Sequence, residues 1–249
     1  MYRKSSSPIV LAGLVLILVS LACSASAPST PTATSIPVTP TATKRPTSTP
    51  RPTPTPNFAR TQEVEAREVD LQSYLDKGYI STTEGKFTEL EDFKEEWAQI
   101  NWYKWWTFDG NYSNLVFKGH FKWSTASTTP ELSGCGIIFG LQANRDHYAV
   151  FLDKSRILFL MTRGGNPYSV GKTRGSGRAN FSLPAEADVA VIVNGQMAYV
   201  SVNGDFTEYT LSADQTSAGR FAFTLLSGTN KDYGTRCEIT NAYVWSPNP

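Results

Sequence analysis

The sequence predicts an all-β fold, an antiparallel β-sandwich preceded by one helix, a disordered Thr/Pro-rich linker and a signal peptide. Short segments with apolar residues at every second position recur in the C-terminal part of the chain, and this is the period of strands with one buried face. Asn194-Gly195 and Asn203-Gly204 separate such segments, and Asn-Gly is the strongest short-range hairpin signal. No helical period follows these strands, so two packed antiparallel sheets are expected.

Residues 1–22 resemble a bacterial lipoprotein signal peptide. Arg3 and Lys4 form a basic start, residues 9–19 are apolar, and Leu-Ala-Cys ends the segment at Cys23. The apolar stretch is shorter than the ~20 residues of a membrane-spanning helix, which favours a cleaved export signal. The resemblance implies lipidation of the Cys23 thiol and anchoring on the extracytoplasmic face of a bacterial cell membrane. The alternatives are ordinary cleavage near residues 25–27 and an uncleaved short anchor.

Residues 23–56 are the lipidated cysteine and a linker with almost nothing to bury. Ser, Thr, Pro and Ala dominate the linker, and its charged residues are Lys44, Arg45 and Arg51. Such a composition does not offset the entropy cost of ordering. Repeated Thr-Pro units favour an extended polyproline II stalk at ~3.1 Å per residue, with a reach on the order of 100 Å. Whether this stalk carries O-linked sugars or is a bare spacer stays open.

The remaining part of the chain is long enough for one sizeable core. The whole sequence has 23 basic and 22 acidic residues and a net charge of +1. This balance lacks the electrostatic footprint that neutralises nucleic-acid phosphates, so no nucleic-acid partner is expected.

Residues 57–78 are predicted to form an amphipathic helix. Asn57 can cap it, Val64, Leu71 and Leu75 recur at turn spacing, and Gly78 stands where a helix commonly stops. The opposite face is charged; it is either a solvated surface or a docking face for a partner protein.

Residues 79–249 are predicted to form the β-sandwich. Leu115 to Trp123 alternates apolar residues with Lys118, His120 and Lys122, which indicates a strand with one wet face. The further predicted strands are Gly136 to Leu141, Tyr148 to Leu152, Ile157 to Met161, Val189 to Val193, Met197 to Val202 and Phe221 to Leu226.

Four of these segments carry a family resemblance. Residues 187–195, 200–204, 219–228 and 237–245 together resemble a concanavalin A-like lectin/glucanase domain, an architecture that laminin-G-type and bacterial 3-keto-disaccharide-hydrolase-like domains share. The resemblance spans roughly Tyr79 to Trp245 and implies a jelly-roll β-sandwich. It does not choose among a glycan binder, a glycosidase and an adhesive module, because this fold hosts all three.

Cys135 and Cys237 are predicted to form a disulfide. Each begins a predicted strand, and the export signal places them in an oxidising compartment. Two buried free thiols are the alternative.

No catalytic residues are predicted. Hydrolysis of a glycosidic bond needs two facing carboxylates, and no strand presents such a pair at alternate positions. Glu89, Glu91, Asp92, Glu95 and Glu96 are expected in a short turn or helix with a solvated face.

Other site types have still weaker support in this sequence. His120 and His147 lack zinc-site spacing, so no metal is predicted. Asp109-Gly110-Asn111 offers hard oxygen ligands for calcium, but too few to predict a bound ion, and no other cofactor is expected. Residues 165–173 resemble a phosphate-binding loop but have five residues between the glycines where that motif needs four, so no nucleotide partner is predicted.

Aromatic residues therefore carry the functional prediction. They crowd into residues 102–106 and exceed what one strand normally buries, and exposed rings stack on the apolar faces of sugars. Adjacent strand residues point to opposite faces, so one of Trp105 and Trp106 is expected in the core and the other at least partly exposed. The candidate glycan-binding residues are Trp102, Tyr103, Trp105, Trp106, Arg163, Asn166, Tyr168 and Arg174. Core packing for each aromatic, and a plain hairpin for residues 163–174, are the alternatives.

Together these features predict a lipid-anchored, non-catalytic module on a stalk that binds a carbohydrate or another cell-envelope ligand. A glycosidase with an unrecognised acidic site and a protein-interaction or sensory module remain alternatives.

Overall fold

A computed structural model describes residues 58–127, 132–153, 156–171, 174–175 and 183–248. The predicted signal peptide, Cys23, the linker and the capping residue Asn57 lie outside the described residues. Within the described part, no helix is both long and apolar enough to cross a bilayer.

One helix precedes a series of strands. The elements are α1 Phe58–Asp76, β1 Gly85–Glu89, β2 Phe93–Trp97, β3 Trp102–Thr107, β4 Leu115–Thr125, β5 Gly134–Leu141, β6 His147–Asp153, β7 Arg156–Arg163, β8 Asn166–Ser169, β9 Arg174–Gly175, β10 Ala185–Asn194, β11 Met197–Val202, β12 Asp205–Thr210, β13 Arg220–Ser227 and β14 Thr235–Pro247.

The strands form two sheets that enclose one main core. Sheet A has the order β1-β14-β4-β10-β11-β12, with β2 also paired to β14, and sheet B has the order β3-β13-β5-β6-β7-β8, with β9 also paired to β7. Every one of these strand pairs is antiparallel. The predicted fold class, an antiparallel β-sandwich after a single helix, is confirmed.

The predicted hairpin turns have conformations that glycine favours. Asn203 and Gly204 have φ values of 50° and 84° between β11 and β12, as a type I′ turn requires. Between β10 and β11 the turn residues are Gly195 and Gln196, since Asn194 still pairs with Met197 in the ladder. The strands β10, β11 and β12 form an antiparallel meander.

One acidic segment differs from its prediction. Glu89 ends strand β1, and Glu95 and Glu96 lie in strand β2, so these three residues are not in a turn or helix. Two cross-strand ion pairs with β14, Lys94–Glu238 and Arg236–Glu96, compensate the charges of this segment, and Phe93 is buried in the main core.

A disulfide joins the two sheets. Cys135 of β5 and Cys237 of β14 are bonded with their Cα atoms 5.4 Å apart, and neither residue is exposed.

Helix α1 covers part of the outer face of sheet A. Leu71 and Tyr74 are buried there in a cluster with Val116, Ile192 and Trp245.

Val64 departs from the predicted apolar face of the helix, because its side chain is 39% exposed. The polar contacts between the helix and the sheet begin one turn later at Arg67, whose guanidinium lies 3.2 Å from Glu89 and over the Tyr243 ring.

Candidate functional site

Strand β3 divides its aromatic residues between the two faces of sheet B. The Trp106 ring lies 5.0 Å from the Phe93 ring, at the edge of the main core. The adjacent Trp105 packs on the outer face, where its ring lies 5.4 Å from that of His147. The predicted division of Trp105 and Trp106 is therefore present, with Trp106 facing inward.

The outer face of sheet B is strongly concave. Tyr103 belongs to the edge strand β3, yet its hydroxyl lies 2.8 Å from Thr162 Oγ1 in β7, four strand positions away. On a flat sheet those strands would be roughly 19 Å apart at ~4.8 Å per strand. A single side chain spans this interval because the sheet curves around it.

Small residues in the middle of the sheet make room for these rings. Gly136 and Ala222 lie on the outer face between β3 and β6. A side chain at Gly136 would approach Phe151 Cδ1 to 2.8 Å. Ile138, Ala149 and Phe151 are fully buried although they belong to the outer face, and Tyr103 and Trp105 pack against them. We call the surface formed by Trp102, Tyr103, Trp105, His147 and Thr162 the aromatic face.

Trp102 lies at the rim of the aromatic face. Its side chain is 55% exposed, and its ring stacks on that of Tyr103 with the centroids 6.4 Å apart and the planes at 25°. The Tyr103 ring in turn lies 5.8 Å from the Trp105 ring. The three rings contact one another in series and form a platform. Adjacent strand positions face opposite ways, so Trp102 shares the side of Trp106 by its position in β3, and its ring meets that of Tyr103 at the edge of the sheet.

A chain of hydrogen bonds orders the polar groups of this platform. The Tyr103 hydroxyl lies 2.8 Å from His147 Nε2, and His147 Nδ1 lies 2.6 Å from the carbonyl oxygen of Arg145. Because a carbonyl accepts only, Nδ1 carries the proton and donates, which makes Nε2 of the neutral ring an acceptor for the Tyr103 hydroxyl.

Burial shifts the pKa values of both ionisable side chains in this series of hydrogen bonds. It lowers the pKa of His147, against the opposing effects of the Arg145 carbonyl and the Asp146 carboxylate. It also raises the pKa of Tyr103, against the hydrogen bond with Thr162. Both shifts favour the uncharged side chains, so the aromatic face presents neutral polar groups.

The second group of candidate residues lies on the other side of sheet B. Tyr168 pairs with Met161 in the ladder, and Met161 packs against the main core. Asn166 pairs with Arg163 on that same side of the strands, because residues two apart share a face. Neither belongs to the aromatic face.

Residues 163–166 form a plain hairpin connection. Gly164 and Gly165 have φ values of 56° and 80°, and the backbone N–H of Gly164 donates to Asp146 Oδ1 at 2.7 Å. Arg163 lies 3.7 Å from Asp214 in an exposed ion pair.

Arg174 is placed by its backbone in β9, opposite Ile157 of β7. Residues 172–173 and 176–182, which flank it, lie outside the described residues. The eight candidate residues therefore do not form one site: the structure brings Trp102, Tyr103 and Trp105 together and separates Trp106, Arg163, Asn166 and Tyr168 from them.

Sequence reasoning missed His147 and Thr162 as members of the site. His147 begins a strand in which Ala149 and Phe151 occupy the same face, so the alternation would have placed it beside apolar residues. Its ladder partner is Thr162, which therefore shares that face. No sequence signal connects either residue with Tyr103, because that contact depends on the curvature of the sheet.

The outer face of sheet A carries a different chemistry. Lys122 of β4 lies between Glu186 of β10 and Glu238 of β14. Its ammonium lies 2.6 Å from Glu186, and their hydrogen bond lowers the pKa of that carboxyl. A hydrogen bond from Lys94 likewise lowers the pKa of Glu238. Carboxyls with lowered pKa values are poor general acids.

No group of three or more His, Cys, Asp or Glu side chains that could hold a metal ion occurs in the part of the chain that the structure describes. Asp109 and Asn111 are exposed in the connection between β3 and β4.

Several solved structures are similar to this one. The carbohydrate-binding module CBM66 from Bacillus subtilis has a TM-score of 0.46 and 8% identity, over 64% of this chain and 95% of the module. A Bacillus licheniformis beta-glucanase has a TM-score of 0.43 and 8% identity, over 56% of this chain and 69% of that chain. Sheep galectin-11 in complex with glycerol has a TM-score of 0.35 and 9% identity, over 56% of this chain and 98% of that chain. No protein-family model matches the sequence, and no curated protein matches it.

Proposed function

We propose that this chain is a lipid-anchored, surface-displayed module that binds carbohydrate without cleaving it. The observation that carries the proposal is the aromatic face, where Trp102, Tyr103 and Trp105 form one platform across a concave sheet. Aromatic rings carry a negative face that attracts the positively polarised C–H groups of a sugar ring. The neutral hydroxyls beside the rings are suited to hydrogen bonds with sugar hydroxyls.

The carboxylates favour binding over hydrolysis. Cleavage of a glycosidic bond needs an acid and a base or nucleophile on two carboxyl groups. Among the described strand residues on the outer face of sheet B, Asp153 is the one carboxylate. Arg156 neutralises it through contacts of 3.0 Å and 2.6 Å. A second carboxylate partner for hydrolysis does not occur on the described strands of this face.

The placement of α1 suits display on a stalk. The helix covers sheet A, whereas the aromatic face belongs to the outer side of sheet B. The helix itself therefore leaves the aromatic face uncovered. Lipidation at Cys23 would hold the linker to the membrane, with acyl chains contributing about 0.8 kcal/mol per buried methylene.

A glycan array tests the proposal. The full chain, purified in mild detergent, is applied to the array, and the same preparation is incubated with a panel of chromogenic glycosides. We expect binding to a restricted set of glycans and no release of chromophore. Release of chromophore would replace the proposal with a glycosidase, and the absence of any glycan binding would favour a protein-interaction module.

A further inference from the structure

The hydrogen bonds of the aromatic face all run in one direction. The carbonyl of Arg145 accepts from His147 Nδ1, which leaves Nε2 without a proton. Nε2 can then only accept, so the Tyr103 hydroxyl donates its single proton to it. With that proton engaged, the contact at 2.8 Å between Tyr103 and Thr162 requires the Thr162 hydroxyl to donate.

The direction of these hydrogen bonds determines which donor and acceptor positions remain for a ligand. Each hydroxyl has one proton, and both protons are used within the chain of hydrogen bonds. The unused positions are lone pairs on the oxygens of Tyr103 and Thr162. No other hydrogen bond of either hydroxyl is found among the described side chains.

From this geometry we infer that Tyr103 and Thr162 form an acceptor-only element that selects a ligand with a free, hydrogen-donating hydroxyl over the aromatic platform. The inference rests on the proposed function and specifies its ligand class: hydroxyl-rich, uncharged sugars whose hydroxyl at this position is neither methylated, acylated nor absent. An ether oxygen placed there would face lone pairs without a proton between them and would lose a hydrogen bond. Thr162 is 7% exposed and Tyr103 is more open, so the ligand hydroxyl meets the pair from the side of Tyr103.

The first measurement determines the direction of the hydrogen bonds from Thr162 through Tyr103 to His147, and it needs no ligand. The sequence has 2 histidines, so selective ¹⁵N-histidine labelling gives two imidazole spin systems, and a His120→Gln variant assigns them. At about pH 8, where an ordinary histidine is neutral, we expect His147 to carry its proton on Nδ1 and to have an unprotonated Nε2. A proton on Nε2 would reverse the direction and overturn the inference.

The second measurement tests whether the aromatic face selects ligands that carry a hydrogen-donating hydroxyl. The probes are the methyl β-pyranosides of glucose, galactose and xylose and the α-pyranoside of mannose, each beside its fully O-methylated counterpart. The counterparts keep the ring faces and every oxygen but have no donor. We expect the free glycosides to shift the His147 signals and the methylated glycosides to leave them unchanged.

A pair of variants tests whether the preference for free hydroxyls arises at Tyr103 and Thr162. Tyr103→Phe keeps the ring and removes the accepting oxygen that the ligand meets, and we expect it to weaken binding of the free glycosides by about two- to tenfold, the usual range for one hydrogen bond. Thr107→Val changes a hydroxyl of the same strand face as Tyr103 and Trp105 but outside the hydrogen-bond chain, and it should leave binding unchanged. Equal binding of free and methylated glycosides would overturn this inference alone. Absence of binding by every glycoside would overturn it together with the proposed function.

Discussion

The hydroxyl of Tyr103 lies 2.8 Å from Nε2 of His147, although β13 and β5 separate their strands in sheet B. The contact joins an edge strand to the middle of the sheet. Gly136 lies on this face of the intervening strand β5, where an added Cβ would come within 3.0 Å of the Val150 carbonyl oxygen, Phe151 and Thr224. The contact between Tyr103 and His147 depends on the curvature that brings their strands together.

Trp102 should contribute most to glycan binding among the exposed aromatics. We expect Trp102→Ala to weaken binding by at least about tenfold, because it removes the outer ring of the platform, and aromatic contacts of this kind contribute on the order of 1 kcal/mol beyond their buried area. The measurement is isothermal titration with the glycan that the array identifies.

Tyr168 offers a matched control for this experiment. It is 51% exposed, close to the 55% of Trp102, but it lies on the opposite side of sheet B. Tyr168→Ala should leave the affinity unchanged. A comparable loss in both variants would show that the binding site is not the aromatic face.

His147 should make the stability of the domain depend on pH. Burial lowers its pKa in the folded state below that of the unfolded chain, so the folded state binds fewer protons. The stabilisation is complete above the unfolded pKa of about 6.5 and is lost as the pH falls through the lowered folded value.

The test compares the wild type with His147→Gln in urea unfolding at about pH 7.5 and about pH 5.5, on either side of the ordinary histidine pKa. We expect the wild type to lose more unfolding free energy on acidification than the variant does, since the carboxyl groups of both titrate alike. An identical loss in the two proteins would contradict the burial of a neutral His147.

The strands of the core were predictable because their periodicity is local. Leu115–Thr125 alternates apolar and polar residues along its length, and its conformation follows from burying one face. Strand β2 was not predictable, because the acidic residues of Phe93–Trp97 conceal a strand whose charges are compensated by β14, more than a hundred residues away in sequence.

The candidate site was predictable in part for the same reason. Adjacent positions in a strand face opposite ways, which is sufficient to separate Trp105 from Trp106 once β3 is recognised. The alternation of residues along one strand does not predict how strongly sheet B curves. That curvature brings Thr162 close to Tyr103. The hairpin at residues 163–166 was a second candidate for the site, but the register places it on the other side of sheet B.

The disulfide between Cys135 and Cys237 should stabilise the domain strongly. It closes a loop with a sequence separation of 102, and the chain-entropy treatment gives ~4.7 kcal/mol for a loop of about 100 residues. We expect the double variant Cys135→Ala/Cys237→Ala to lose unfolding free energy up to about that amount in urea titrations. Intact-mass spectrometry with alkylation supplies the control, and labelling of both residues without reductant would contradict the disulfide.

Leu71 and Val64 should respond differently to truncation although both belong to the predicted apolar spacing of α1. Leu71 is 1% exposed against sheet A, so Leu71→Ala should cost about 2 to 5 kcal/mol of unfolding free energy. Val64 is 39% exposed, and Val64→Ala should change the free energy by less than about 0.5 kcal/mol. Urea unfolding measures both, and equal costs would mean that the helix packs along its whole length.

Cys23 should be the residue that attaches the chain to the membrane. A thiol at the end of the Leu21-Ala22-Cys23 segment is the predicted lipidation site, and two or more acyl chains are needed for lasting attachment. In cells grown with an alkyne fatty acid, we expect the wild type to be labelled and to partition into detergent, and Cys23→Ala to lose both properties. Ser26→Ala, three residues further along, controls for general effects on export and should keep the label. Unchanged labelling of the Cys23 variant would move the attachment elsewhere, and the stalk would then lose its predicted anchor.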